Sequence, residues 1–545
     1  MLRLLDTRRP RLLLTLFCLL LWTPGFFTLP PGDRDESRFA QATKQMLETD
    51  NFVRIQNGAE ARNQKPIGIY WMQAPFAAIA HAAGLATANP IWPYRLPSAI
   101  GALIGVLAAF ALGERLVGRR AALLGAAFLA ASVVLTTEVH IAKTDAALFG
   151  SVTVAMSVLA RAYLEPRPMP RWQAALFWLA LAVSILLKGP IGPMVAGLTA
   201  LSLSLADRRG RWLLSLRPGW GVPLMVACVL PWFVAIGLAT HGKFFADAVG
   251  GDLGRKLSSG DDAHGGPPGL HLLLLPVLVL PAAAALPGAL RAGWRDRHEA
   301  APRFLLAWIV PSWIVFEAAP TKLPHYTLPL QAAVCLLAAW FVLRPDRRAI
   351  GRLSALLPII VALALAGALG AAPVFLHLPI AIGAPSVLAA ILIAACFTPL
   401  LRRPDEGRLS VEHRAFFAAL ICMPLFYGAV LGWEIPNLPP LWIAPRVVAA
   451  LPPGRLGSVG FAEPSLMFLG GTGTEWLKAE EGVAALASGE ISSLLVGDRD
   501  WPSARAALLA SGIVPEPIAT IDGFNYSRGR FVTLRLLTNE RKKIP

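Results

Sequence analysis

Three features of this chain predict a mainly α-helical, polytopic membrane protein of about thirteen spans with a small C-terminal α/β domain. The first is composition: 545 residues with 55% hydrophobic and only 15% charged side chains, and a mean hydropathy of +0.56. The second is a series of uncharged runs, such as LLLTLFCLLLW, LLLLPVLVLPAAAALP and LLPIIVALALAGALGAAPVFL, which approach the roughly 20 apolar residues that cross a bilayer core. The third is the asymmetry of the basic residues between those runs.

With the N-terminus inside, spans are expected near 12–29, 95–113, 121–137, 147–163, 173–187, 190–206, 220–239, 270–290, 304–319, 326–343, 353–375, 378–400 and 413–432. The stretch 76–91 carries His81 and ends in ATANPIWP, so it reads as an interfacial or re-entrant segment. The short loops GERLVGRR, RAYLEPRPMPR, DRRGRWLLSLR, RAGWRDRHEAAPR, RPDRRAIGR and LRRPDEGRLSVEHR then share the N-terminal side, each with three or four arginines, as the positive-inside rule requires. The N-terminal run follows Arg3, Arg8, Arg9 and Arg11, the layout of a signal peptide. The following TLPPGDRDESR shows no small-x-small cleavage site, so an uncleaved first helix is expected.

On this topology all seven lysines before residue 430 fall on the opposite, outer face: Lys44, Lys65, Lys143, Lys188, Lys243, Lys256 and Lys322. Cations gathered on the side that orientation does not favour point to a site for an anion. The net charge of +16 does not indicate nucleic acid, because the arginines sit in short loops that orient the chain and meet anionic lipid. Cys18, Cys228, Cys335, Cys396 and Cys422 lie in apolar runs without CxxC spacing and read as small buried side chains.

The chain divides into a transmembrane part, 1–432, with long outer loops at 30–94 and 240–269, and an outer α/β domain, 433–545, whose final FNYSRGRFVTLRLLT reads as a hairpin about SRGR. In the first loop, SRFAQATKQMLET has helical spacing of Phe39, Ala42, Met46 and Leu47, so an amphipathic helix lying along the outer surface is expected. Asp33, Asp35 and Glu36 open it. One acid suffices for a cap; three acids interleaved with Arg34 and Arg38 exceed that need, and a fixed carboxylate there can act as general base. Lys65 precedes Pro66 and the aromatic pair Tyr70 and Trp71, a setting that also suits a snorkelling lysine. Further outer charge comes from EVHIAKTDAALF (His140, Lys143, Asp145), the Gly-rich 250–269 segment (Asp252, Arg255, Lys256, His264), which reads as a lid or a flexible connector, and APTKLPHYTLP (Lys322, His325, Tyr326).

The order DE-x-R-F-A, a Lys-Pro pair before YW, T-D after two spans, a basic loop leading to H-G-x-P-P-G, and T-K-L-P-x-Y-x-L-P resembles the bacterial GT-C glycosyltransferases, which include the lipid A aminoarabinose transferases and the protein-mannosyltransferase-like group. The resemblance spans essentially the whole chain, PSLMF and GFNYSRGR included. It implies a GT-C bundle in the bacterial inner membrane with a periplasm-facing site. The implied reaction moves a sugar from a polyprenyl phosphate carrier to lipid A or another glycolipid, with membrane lipids as surroundings and no nucleotide donor or cofactor. Asp35 and Asp145 match the catalytic acids. Lys65, Arg255, Lys322 and Tyr326 match contacts to the carrier phosphate. Glu36 and Arg38 flank Asp35 as further substrate-binding residues, and Lys256 joins them on charge alone. In the aminoarabinose transferases a glutamate before the matching lysine helps bind zinc. Gln64 stands there in this chain, and Gly250, Gly251 and Asp252 stand where a histidine ligand is expected, so no zinc is expected. A protein acceptor is the enzymatic alternative. A secondary transporter is the alternative from another class, although the ionisable residues cluster at one surface and no internal repeat is visible.

Overall fold

A computed structural model describes residues 5–85, 89–165, 168–253, 265–345, 349–402 and 408–538. The protein is a multi-pass, mainly helical membrane protein. Among the described residues nine helices are long and apolar enough to cross a bilayer: Trp92–Leu116, Thr144–Leu164, Arg171–Lys188, Pro218–Ala239, Ala300–Ala318, Pro324–Leu343, Arg352–Phe375, Ala384–Leu401 and Ser410–Asn437. A tenth, Arg119–Ala130 with Val133–Val139, is bent by 58°.

The remaining expected spans differ from full-length helices. Pro10–Trp22 and Ile191–Ala206 are apolar but shorter. The 270–290 stretch is divided into Leu270–Leu278, Ala282–Ala285 and Leu286–Arg295. Pro281, which has no N–H to donate, lies at the first of these breaks. The expected thirteen continuous spans are therefore not what helix length gives. The 76–91 region contributes the end of a 15-residue helix, Gly68–Ala82.

Leu12, Leu16, Leu19, Leu20, Val226, Leu230 and Val234 are exposed, as lipid-facing side chains must be. Of the cysteines, Cys18 and Cys335 are buried as expected, whereas Cys228 is exposed and Cys396 and Cys422 are half-buried with their sulfurs 3.8 Å apart. Apolar context in a membrane protein does not separate core from lipid contact, which is why the sequence reading placed all five inside.

The bend between residues 130 and 133 frees backbone carbonyls inside the bundle, and side chains satisfy them. The Trp22 indole donates to the Ala130 carbonyl at 3.2 Å and the Tyr427 hydroxyl to that of Ala131 at 2.9 Å. Ser132 caps the second segment by accepting from the Leu135 N–H.

The C-terminal region holds a five-stranded sheet in the order β4-β3-β5-β7-β6, with β3 Leu456–Val459, β4 Glu475–Trp476, β5 Ser493–Gly497, β6 Ala519–Asn525 and β7 Arg530–Thr538. β3 pairs parallel with β4 and β5, whereas β7 pairs antiparallel with β5 and β6. Alternation along β5 sends Leu495 to one buried cluster and Leu494 and Val496 to another, so both faces of the sheet are covered. The expected hairpin is the β6–β7 pair, turning through 526–529. A smaller two-stranded ribbon, β1 Gln56–Asn57 and β2 Glu60–Ala61, lies between the helices Asp35–Thr49 and Gly68–Ala82.

The helix Asp35–Thr49 is covered on two sides, which corrects the expectation of a helix lying along the surface. Its polar residues Gln41, Thr43 and Gln45 are buried. Thr43 donates to Gln73 at 2.6 Å, and Gln45 exchanges two 2.8 Å hydrogen bonds with the backbone of Gly58. On its other flank Gln41 donates to Thr472 at 2.8 Å and Lys44 to the Phe468 carbonyl at 3.1 Å. The start of the helix is clasped by the C-terminal region as well: the Asp33 N–H donates to the Tyr526 hydroxyl at 2.5 Å, Ser465 donates to the Asp33 carboxylate, and Arg34 donates to the Ser527 carbonyl.

None of the three acids caps the helix. The residue before it, Arg34, has φ +62°, and no side chain accepts from the first turn. Glu36 instead forms a buried bidentate pair with Arg95, at 2.8 and 2.9 Å. It also accepts from the N–H groups of Gly32 (2.7 Å) and Ala142 (2.9 Å). Arg95 in turn donates to the carbonyls of Phe26, Leu29 and Pro30.

Removing one partner of a buried ion pair costs about 3–5 kcal/mol. Arg95→Met is therefore expected to lower the melting temperature in detergent sharply, and Glu36→Gln added to it to recover part of the loss; a melting temperature for Arg95→Met equal to wild type contradicts this. A second prediction concerns Asp33. Burial, opposed by the Ser465 hydroxyl and reinforced by the charge of Glu463, pushes its carboxyl up to about 7. Its pKa is raised on docking, so the docked state holds a proton that the undocked state lacks, and the stabilisation is lost as pH rises from the ordinary carboxyl range to about 7. Hydrogen-exchange protection at Tyr526–Arg528 is expected to fall between about pH 4 and pH 7 after correction for intrinsic rates, and Asp33→Asn to remove that slope.

Candidate active site

The segment EVHIAKTD forms a turn between two helices, and this is what gathers the charges. Glu138 ends Val133–Val139, Asp145 opens Thr144–Leu164, and Lys143 between them is extended at φ −144°, ψ −175°. Ser98 fixes the turn by donating to the carbonyls of Ile141 (2.8 Å) and Lys143 (3.2 Å), and the Ala142 N–H is held by Glu36.

Around this turn stands an alternating cluster. Lys143 Nζ lies 3.0 Å from Glu138 and 3.8 Å from Asp145. Lys188, the last residue of its span, reaches Asp145 at 2.5 Å and lies 4.8 Å over the Tyr326 ring. His325 sits 3.6 Å from Glu138, 3.8 Å from Asp145 and 3.4 Å from Lys143. Burial acts to lower the Lys143 pKa, but the charges of Glu138 and Asp145 outweigh it and the net shift is upward. Asp145 is thus tied to two ammonium groups.

Asp35 differs. Its side chain is accessible, and among the described residues it makes no ion pair within 4.0 Å. Protein packed nearby acts by desolvation to raise its pKa. The charges of Arg62, Lys143 and Arg38 overcome that, so the carboxyl lies below its ordinary range despite the repulsion from Asp145. Asp35 is therefore an ionised, unclasped carboxylate within a ring of cations.

Arg38 and Asp145 act electrostatically on Asp35, and Tyr326 lies beside Lys188, which pairs with Asp145. Glu36 is not part of this set: the substrate role expected for it gives way to the saturated structural pair with Arg95. Lys322 is buried, and its ammonium donates to the carbonyls of Gly266 (3.1 Å) and Ala319 (2.7 Å), pinning the 265–266 strand against Thr321. Lys65 is half-buried between β2 and the helix Gly68–Ala82. Arg255, Lys256 and most of the expected lid lie outside the described residues. Gln64 is an exposed neutral amide, which does not supply the carboxylate ligand that zinc would need at that position.

Sequence reasoning missed Glu138 and Arg62. Glu138 lies within the quoted EVHIAKTD string, seven residues before Asp145, and a two-helix break there places both acids at one turn. Arg62 carries no periodic signal; it follows β2, and its N–H donates to the Ile55 carbonyl at 2.8 Å.

Residues 64–234 match the family described as dolichyl-phosphate-mannose-protein mannosyltransferase. The undecaprenyl phosphate-alpha-4-amino-4-deoxy-L-arabinose arabinosyl transferase of Pseudomonas paraeruginosa is 29% identical over 346 residues, 61% of this chain and 60% of that protein. The corresponding protein of Pectobacterium carotovorum subsp. carotovorum is 29% identical over 349 residues, 60% of this chain and 58% of its own length. The matched stretch thus spans about 60% of the length of these relatives. The crystal structure of ArnT from Cupriavidus metallidurans bound to undecaprenyl phosphate superposes with a TM-score of 0.74 at 20% identity, covering 98% of this chain and 99% of that one. Its apo state gives 0.71 at 19% identity, covering 96% and 97%. In fold this chain is a GT-C protein, and in sequence it is similar to the lipid A aminoarabinose transferases.

Proposed function

We propose that this protein is a bacterial inner-membrane glycosyltransferase that moves a sugar from a polyprenyl phosphate carrier to a periplasm-facing acceptor, lipid A or another glycolipid. The observation that carries this reading is Asp35: an accessible, ionised carboxylate with no close ion pair among the described residues, surrounded by Arg38, Arg62 and Lys143. Further support comes from the likeness to relatives whose names specify an undecaprenyl phosphate-linked sugar.

In the reaction the bond between the anomeric carbon and the carrier's phosphate oxygen breaks, its electron pair staying on the phosphate. The acceptor oxygen forms the new bond to the same carbon from the opposite side, and its proton passes to Asp35, so the configuration inverts. Charge grows on the departing phosphate, and cations fixed nearby bind it more strongly in the transition state than in the ground state. Lys65, Lys188 and Lys322 are assigned to that side with Arg255 and Lys256, and Tyr326 orients Lys188 through its ring face. Asp145, clasped by Lys143 and Lys188, sets the position of those ammonium groups and does not take the proton.

Asp35→Asn is expected to reduce transfer in reconstituted proteoliposomes by about 100-fold or more, with an unchanged melting temperature because the side chain is accessible and makes no close pair. Full turnover by this variant rules the assignment out.

A further inference from the structure

The helix Arg352–Phe375 carries one exposed stripe, Ile360, Ala364, Gly367, Ala371 and Phe375, spaced three or four residues apart as a single helical face requires. In a span this apolar the stripe meets lipid. It does not stop where the helix ends. The Phe375 ring packs edge-on against Phe524 at 5.1 Å and tilted against Phe531 at 5.5 Å. Those two residues stand opposite each other across the β6–β7 pair, their ring centroids 5.1 Å apart, and Phe531 also lies 5.3 Å from the His377 ring. The cluster does not bury its own members: Phe531 is 44% exposed and Phe375 56%. Ile380, in the turn before the next span, is exposed as well.

The apolar patch is confined to the hairpin end of the sheet. Two residues further along each strand, on the same face, stand Asp522 and Thr533, and the Thr533 hydroxyl donates to the Asp522 carboxylate at 2.6 Å. The apolar end is thus the one joined to the span, and the polar part of the face lies beyond it. Exposed rings continuous with a lipid-facing stripe have a ready solvent in the boundary between acyl chains and headgroups, where aromatic side chains are accommodated. Arg528, exposed in the intervening turn, is a cation of the kind that meets headgroup phosphates. Continuity with the stripe selects lipid as the occupant of the patch rather than a second copy of the chain.

We propose that the β6–β7 hairpin is a lipid-contact element, with Phe524, Phe531 and Phe375 seated at the acyl–headgroup boundary of the leaflet on the sheet's side. Tyr526 and Ser527, which clasp the Asp33–Arg34 turn, lie between the two hairpin phenylalanines in the chain, so the same contact steadies the clasp. The inference does not depend on the glycosyl-transfer reading.

The test is photolabelling of the full-length protein in nanodiscs containing a phosphatidylglycerol with a diazirine near the glycerol end of one acyl chain. Wild type is expected to carry lipid adducts on peptides covering 524–531 and on the Val374–Phe375 end of the span. The helix Ala479–Ser488 of the same C-terminal region, whose first turn holds Glu480 and Glu481, is expected to carry none. Phe531→Asp is expected to cut the hairpin adducts about tenfold, to leave those at Val374–Phe375 in place and to lower hydrogen-exchange protection at Tyr526–Arg528. The wild-type labelling stands on its own should that variant misfold. Four results overturn the proposal: no adduct on 524–531 in wild type, equal labelling of Ala479–Ser488, hairpin adducts and protection unchanged in Phe531→Asp, or hairpin adducts only in nanodiscs holding a single copy, which makes the patch a contact between copies.

Discussion

The buried pair between Glu36 and Arg95 is the constraint on which the arrangement of the outer face depends. Its carboxylate fastens three pieces of chain: the Gly32 turn, the helix Asp35–Thr49 and, through Ala142, the turn that presents Lys143 and Asp145. Its guanidinium fastens a fourth, the Phe26–Pro30 stretch leaving the first apolar helix. Every acceptor site of the carboxylate and every donor nitrogen of the guanidinium is used, which is the condition under which an ion pair tolerates burial. Asp35 lies next to Glu36 in the chain, and its side chain is exposed where that of Glu36 is buried.

Charge at the site is divided between two kinds of group. Glu138, Asp145, Lys143 and Lys188 are linked by ion pairs of 2.5 to 3.8 Å. Asp35, Arg38 and Arg62 have no such short contacts among the described residues. The pairs fix the geometry of the first set, whereas the second set keeps its hydrogen-bonding capacity. Proximity of opposite charges therefore separates Asp145 from Asp35, which the proposed mechanism uses as positioning and reactive acids, although sequence position alone ranks them alike.

Much of this was legible in the sequence, and the reasons for what was not are physical. Uninterrupted apolar runs located most of the long helices, because a bilayer demands length and hydropathy together. The 130–133 bend left no trace, since it contains neither proline nor glycine and is stabilised by Trp22 and Tyr427 from distant parts of the chain. The DE-x-R-F string correctly announced a helix, but the assignment of Glu36 failed because its partner stands 59 residues away. The surface location of that helix failed for a related reason. Periodicity finds the face that packs on the bundle, whereas Gln41 and Lys44 are covered through polar contacts to the outer domain, which no hydrophobic pattern reports.

The clasp on the Asp33–Arg34 turn comes from Tyr526 and Ser527, 493 positions further along the chain. At ordinary elongation rates a ribosome needs on the order of 25–100 s to make that much polypeptide. For that interval the nascent helix holding Asp35 sits at the bilayer surface with Gln41, Lys44 and Asp33 still waiting for the groups that will cover them. The contacts of the Asp33–Arg34 turn are thus completed last, so a product whose translation stalls before the final hairpin lacks them.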